Sequence, residues 1–306
     1  MCPDRRRHRP IRGRHSRGSR VRERFPPRVR RCRRRPHALR DRRQRHPGRP
    51  HPRLAADLVR LVADHARSRR ESHRLRHRLP GLGDSVGSPT GYDKATLARY
   101  VHTLIADRLG VHDANVVGHD FGAAVAFQYA AQFPSDTARL GYFDLPLPGP
   151  AIDASTYRSM SWHIAFHAQR RVPEVVVDDD VRAYLALFYP QVSFGGTAFG
   201  GTSDRSPFTD AEIDEFARTY GRPDALSGGF ELYRALDQDV RDTTAASPTS
   251  VPTLLLTAQG QLDAVRATVA PRITDIVRAA DVPHTGHWLV EENPEFVSAE
   301  LRRFLG

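Results

Sequence analysis

Short apolar runs recur along the chain from residue 79, and several are followed by stretches with helical spacing. Val116-Val117, Leu140 to Phe143, Thr253 to Ala258 and Ile276-Val277 have the length and bounding residues of buried strands. Lys94 to about Leu109, the small-residue run opening at Phe121, and Pro294 to Leu305 carry the 3.6-residue spacing of helices. Strands alternating with helices predict an α/β chain with a parallel sheet. The alternation stops between residues 145 and 245. There, Trp162 to His167, Val181 to Phe188 and Ala211 to Tyr220 predict amphipathic helices, with Gly195-Gly196 and Gly200-Gly201 marking a loop. Before Leu54 apolar periodicity is weak. Residues 55–66 read as a helix, because Leu58, Leu61 and Val62 would share one face.

The sharpest local signal is Val116-Val117-Gly118-His119-Asp120-Phe121-Gly122-Ala123-Ala124. An apolar strand runs into Gly-x-Asp-x-Gly, and small residues then open a helix. This is the pattern of a nucleophile elbow, a strand-to-helix turn that lifts one side chain above the sheet. The flanking glycines suit it because a Cβ at either place would clash. A carboxylate here would attack an sp3 carbon and form an alkyl ester that water must hydrolyse. A lone motif of this kind also fits an Asp helix cap. The context favours chemistry: Leu79-Pro80-Gly81-Leu82-Gly83-Asp84-Ser85 lies upstream, Asp144 follows the next strand, and Val282-Pro283-His284-Thr285-Gly286-His287-Trp288 precedes the last helix. Acid before histidine in chain order describes an Asp-acid-His triad at the C-terminal edge of the sheet.

From Leu79 to Gly306 the chain resembles the α/β-hydrolases of the epoxide hydrolase and dehalogenase branch. The matching pieces are residues 79–85, Gly-His-Asp-Phe-Gly at 118–122, and Gly-His-Trp at 286–288 followed by Glu-Glu-x-Pro-Glu at 291–295. The resemblance implies an α/β-hydrolase core over 79–144 and 246–306, with a helical cap over 145–245. It implies Asp120 as nucleophile and His287 as the base that activates water; His284 lies outside the motif position. For the third member it offers two places. Asp144 follows the strand after the elbow helix, and Asp263 follows the penultimate strand. Asp144 is favoured, because the acid position of the second arrangement falls near Gln261. In epoxide hydrolases cap tyrosines protonate the epoxide oxygen. Tyr233, in Glu231-Leu232-Tyr233-Arg234, matches one such position, and the second falls near Trp162. Phe121, Trp162, His163 and Trp288 are the substrate-facing candidates. Haloacid dehalogenases carry arginines where this chain has Phe121 and Ala124, and haloalkane dehalogenases usually have Trp where it has Phe121. Epoxide hydrolysis is therefore preferred over carbon–halogen cleavage. A catalytically impaired product or a basic-armed binding protein is the alternative outside enzymology. The implied partner is a small-molecule substrate, and the implied chemistry needs no cofactor and no metal.

Composition divides the chain. Residues 1–80 hold 29 arginines against 6 acids, a net of +23, while residues 81–306 carry a net of −11. Cys2 and Cys32 form neither a disulfide framework nor a spaced metal set. No apolar run suggests a membrane span or a signal peptide, so a cytoplasmic chain is expected. The Arg-rich part fits a nucleic-acid arm or a disordered solvated tail. A third reading is preferred to both. The segment is rich in Arg, His and Pro without lysine, the bias of a GC-rich gene read out of frame. Shifted by one base, the codons of His73 to Arg78 permit Thr-Val-Phe-Ala-Thr-Asp, running into Leu79-Pro80-Gly81. Those of Pro52 to Leu58 permit His-Gly-Trp-Pro-Gln-Thr-Trp, and His-Gly-x-Pro is the family's oxyanion-loop motif. Residues 1 to about 78 are thus expected to be disordered. The first strands of the sheet should be missing or scrambled, leaving one side unpaired and activity doubtful. Sequencing the locus tests this hypothesis; a shifted frame without a continuous His-Gly-x-Pro reading would end it.

Overall fold

The computed structural model describes residues 59–66, 72–76, 79–85 and 87–306. The chain enters the sheet with β1 (Val59–Ala66) and β2 (Ser72–Arg76), then forms α1 (Lys94–His102), which continues as a π-helical stretch over Thr103–Arg108. The elbow region is β3 (Ala114–Asp120) and α2 (Phe121–Gln132), followed by β4 (Thr137–Phe143). Seven helices come next: α3 (Ala154–Ser159), α4 (Trp162–His167), α5 (Val172–Val177), α6 (Val181–Gln191), α7 (Asp210–Tyr220), α8 (Pro223–Arg234) and α9 (Leu236–Ala245). The chain then returns to the sheet through β5 (Thr253–Thr257), α10 (Leu262–Val269), β6 (Ile276–Asp281), α11 (Leu289–Glu292) and α12 (Pro294–Leu305).

The sheet order is β2-β1-β3-β4-β5-β6. Strands β3 to β6 are parallel, as the alternation of elements predicts. Their C-terminal ends therefore open on one edge, and that edge carries the residues discussed below. One face of the sheet packs against α1 and α2 through Leu97, Val101, Val125, Phe127 and Leu140. The other packs against α11 and α12 through Val117, Leu254, Leu256, Leu289 and Val297. The first ten residues of α2 are buried, so its pattern is that of a core helix rather than a surface one. The helices between β4 and β5 have a centre of their own around Leu185, Phe188, Tyr189, Phe216, Phe230 and Trp288. Among the described residues no helix is long and apolar enough to cross a membrane.

Two expectations need correction. Val59–Ala66 is a strand, not part of a helix, and residues 55–58 lie outside the described residues. The edge of β3 is not left open either: β1 pairs antiparallel with β3 from Val59↔Asp120 to Asp64↔Asn115, and β2 pairs antiparallel with β1. The reason is tertiary. An uncovered β3 would leave a row of backbone donors and acceptors unsatisfied beside the core. A segment containing Val59, Leu61 and Val62 suits that edge better than a helix with nothing to pack on. The expectation of disorder for the Arg-rich stretch and the oxyanion-loop reading of residues 52–58 fall outside the described residues.

Candidate active site

Asp120 ends β3 and caps α2, and its φ of 58° with ψ of −134° is strained for a residue with a side chain. The turn is possible only because Gly118 and Gly122 approach without side chains: a Cβ on Gly118 would lie 2.0 Å from the Gly122 carbonyl oxygen. The result is a buried carboxylate above the sheet edge. The Phe121 amide donates to Asp120 Oδ1 at 2.6 Å. Asp120 Oδ2 lies 3.3 Å from His287 Nε2.

Asp144 follows β4, also with positive φ, and is held there by its own amide, which donates to the Leu256 carbonyl at 2.7 Å. Its Oδ2 lies 2.5 Å from His287 Nδ1, and its Oδ1 accepts from the Ala258 amide at 3.3 Å. His287 thus sits between two buried carboxylates. Burial alone would push its imidazole down, but hydrogen bonds and charge from Asp120 and Asp144 prevail and raise it to about 10. The loop bearing it is braced from two sides. The His287 amide donates to the Val192 carbonyl at 2.8 Å. Glu292 accepts from the amides of Gly286, at 2.8 Å, and Phe194, at 2.6 Å.

The other candidates separate clearly. Asp263 lies exposed in the first turn of α10, and the carboxylates on His287 are those of Asp120 and Asp144. Tyr233 is buried on α8, its ring edge-on to Phe121 at 4.9 Å. Burial first, then the charge of Asp120, raises its hydroxyl well above the usual range, so it keeps its proton. His163 lies 6.1 Å from the Tyr233 ring, and burial followed by the charge of His287 lowers it to about 3. Trp162 is 48% exposed, with Nε1 donating to Gln191 Oε1 at 2.8 Å, and so lies at the outer surface. Trp288 is buried, donates to the Tyr189 carbonyl and packs 4.7 Å from His287.

Sequence reading missed three groups. Tyr157, on α3, is buried, stacks on Phe121 at 6.4 Å, and has a hydroxyl raised by burial and then by neighbours including Asp120. His119 is buried and lies 2.7 Å through Nε2 from the His287 carbonyl. It groups with Asp144 and His287, their ligating atoms within 4.8 Å of one another. The Asp144–His287 contact is already one of those pairings, so this cluster reads as the wall of the relay. Lys94 and Asp239 meet behind Phe121. Of the three, Lys94 had a signal in the sequence as the sole lysine, and His119 stands inside Gly-His-Asp-Phe-Gly.

An α/β-hydrolase fold family model matches residues 67–140, which include the elbow. The soluble epoxide hydrolase of Corynebacterium sp. strain C12 is 28% identical over 235 residues, covering 74% of this chain and 78% of that protein. Epoxide hydrolase 1 of Caenorhabditis elegans is 25% identical over 209 residues; the match takes in 66% of this chain but spans only 50% of the length of that relative. Among solved structures, the epoxide hydrolase CorEH without ligand superposes with a TM-score of 0.64 at 25% identity, covering 78% of this chain and 82% of the other. With the parallel strands β3 to β6 and the elbow at Asp120, these likenesses give the chain an α/β-hydrolase fold, and it is similar to epoxide hydrolases.

Proposed function

We infer that residues 79–306 are built as an epoxide hydrolase that works through an alkyl ester on Asp120. The observation that carries this reading is the buried relay Asp144–His287–Asp120, with contacts of 2.5 and 3.3 Å. In the first step Asp120 Oδ2 attacks an epoxide carbon. The carbon–oxygen bond of the ring breaks, and the oxygen takes a proton from Tyr233. In the second step His287 takes a proton from water as that water attacks the ester carbonyl. The Phe121 amide, already on Oδ1, is oriented to hold the oxygen that becomes negative. Collapse passes the second proton of that water to the leaving alkoxide, releases a diol, and restores the Asp120 carboxylate beside a charged imidazole.

A resting imidazole charged up to about pH 10 is no base. Ester formation resolves this, because it removes the charge of Asp120 and with it one of the two interactions holding the proton on. His287 then yields its proton to the tyrosinate, restoring Tyr233, and is a free base at the step that needs one. The helices α3 to α9 act in this reading as a cap that brings Tyr233 over Asp120 and excludes water. Carbon–halogen cleavage would use the same carboxylate, but Trp162, a candidate halide donor, has its N–H on Gln191.

The test is His287→Gln, incubated with a panel of small neutral epoxides. An adduct of substrate mass should accumulate on the peptide containing Asp120, read by mass spectrometry, while the parent forms diol. A parent that turns over epoxides while the variant carries its adduct elsewhere would remove Asp120 from the role. A parent inert to every epoxide but active on haloalkanes would move the reaction to carbon–halogen bonds.

A further inference from the structure

Lys94 is the only lysine among 47 lysine and arginine residues, and it is 1% exposed. It stands at the first position of α1, where a cation opposes the helix dipole. Burial of such a charge is tolerated only where it is fully partnered. Its Nζ donates to Asp239 Oδ2 at 2.7 Å and to the Leu232 carbonyl at 2.6 Å, and it lies 4.0 Å from the centroid of the Phe121 ring. Asp239, 2% exposed on α9, also accepts from the Lys94 amide at 2.8 Å, so it caps α1 from outside.

What this ammonium touches is informative. Phe121 supplies the amide on Asp120 Oδ1, and its ring packs edge-on against Tyr233. Leu232 is the residue before Tyr233 on α8. One cation therefore holds the nucleophile turn from beneath its ring and holds the helix of the tyrosine by a backbone carbonyl. All three contacts converge on one nitrogen; a guanidinium, larger and with its donors spread over three nitrogens, would not take that place without shifting them.

We propose that the buried Lys94–Asp239 pair is a positioning pair, which registers the Phe121 amide and the Tyr233 hydroxyl against each other across Asp120. The proposal rests, for the role of Tyr233, on the epoxide hydrolase reading. Lys94 touches Phe121 and Leu232, so the pair acts through those residues, not on substrate.

Two full-length variants test it. Lys94→Met/Asp239→Asn removes both charges and keeps a side-chain oxygen to accept from the amide of residue 94, so it should retain the fold. Lys94→Arg keeps the charge but not the geometry. The first readout is the ring resonance of 13C-labelled tyrosine at Tyr233, assigned with Tyr233→Phe. Both variants should displace it while circular dichroism stays that of the parent. The second is the single-turnover rate of ester formation on Asp120, which should fall about ten-fold or more with little change in KM, as expected when reacting groups are misplaced without loss of binding. An unmoved Tyr233 resonance in the folded double variant overturns the pair's role whatever the reaction is. Parent-like behaviour of Lys94→Arg overturns the geometric claim. If the parent turns over no epoxide, the functional reading fails separately, and the resonance still decides the pair.

Discussion

Asp120 and Asp144 are two of five non-glycine residues with positive φ among the described residues. Such backbones cost on the order of 1–3 kcal/mol each, and they persist where surrounding structure dictates them. At Asp120 the dictating contact is the approach of Gly118 to Gly122. Gly118→Ala should lower stability by about 3 kcal/mol or more in urea titration, because a Cβ 2.0 Å from a carbonyl oxygen forces the backbone to move. For the acid, the Asp144–His287 contact makes a specific ranking. Asp144→Asn should slow hydrolysis of the ester by about 10³-fold or more, as loss of the imidazole's anionic partner does in other triads. Asp263→Asn, on exposed α10, should leave it within about two-fold; equal effects would break the assignment. The His287 proton offers a third test. Its ring should titrate near 10 in the parent by NMR. In Asp120→Asn, which mimics loss of the carboxylate charge on ester formation, the midpoint should move down. An unmoved midpoint would mean that Asp120 does not control the base.

At the scale of elements, the His287 loop is braced by the loop after α6. A Cβ on Gly286 would lie 2.5 Å from the Ser193 carbonyl carbon, and Glu292 bridges the amides of Gly286 and Phe194. Removing a partly buried carboxylate that accepts two amides should cost about 1–3 kcal/mol. Glu292→Ala should therefore lower Tm and reduce turnover together, while Asp120 ester formation, which does not require His287 as a base, is less affected. The turn at 79–85 is tied to α7 and α8 in a similar way. Arg218 donates to both oxygens of Asp84 at 3.2 Å, and Arg222 to the Gly83 carbonyl at 2.9 Å. These elements were largely legible in sequence. Helical spacing from 94 to 109 became α1 and its π-helical continuation, and Pro294 to Leu305 became α12 as expected. Val59–Ala66 was not legible, because pairing with β3 outweighed the spacing of Leu58, Leu61 and Val62.

For the whole molecule, the coupling of His287 to folding has a definite sign. Its folded value of about 10 lies above the unfolded value of 6.5. Its contribution is thus fully present below about pH 6.5 and is lost as pH rises through 10. Asp239 is likewise raised, to about 6 from 3.8, by burial against the pull of Lys94, so its contribution is lost as pH rises between those values. The difference in unfolding free energy between the parent and His287→Gln should accordingly narrow from pH 6.5 to above 10, measured by urea denaturation across that range. A constant difference would show that the two carboxylates do not hold the charge on His287.

The sequence by itself determined what is local. Gly-x-Asp-x-Gly is a steric demand within five residues, the apolar runs and 3.6-residue spacing mark strands and helices from neighbouring side chains, and Gly286-His287-Trp288 names its own loop. Those signals were enough for the parallel sheet and for the pairing of an elbow carboxylate with a late histidine. Tertiary structure decided whatever depends on groups far apart in the chain. Asp144 rather than Asp263 meets His287, across 143 residues, because the parallel order of β3, β4 and β5 brings those strand ends to one edge. Tyr157 joins Tyr233 on Phe121 only through the packing of α3 and α8 over the elbow. Lys94 and Asp239 find each other across 145 residues. No spacing rule encodes such contacts: they form because a closed core leaves a buried charge or an open strand edge no other partner.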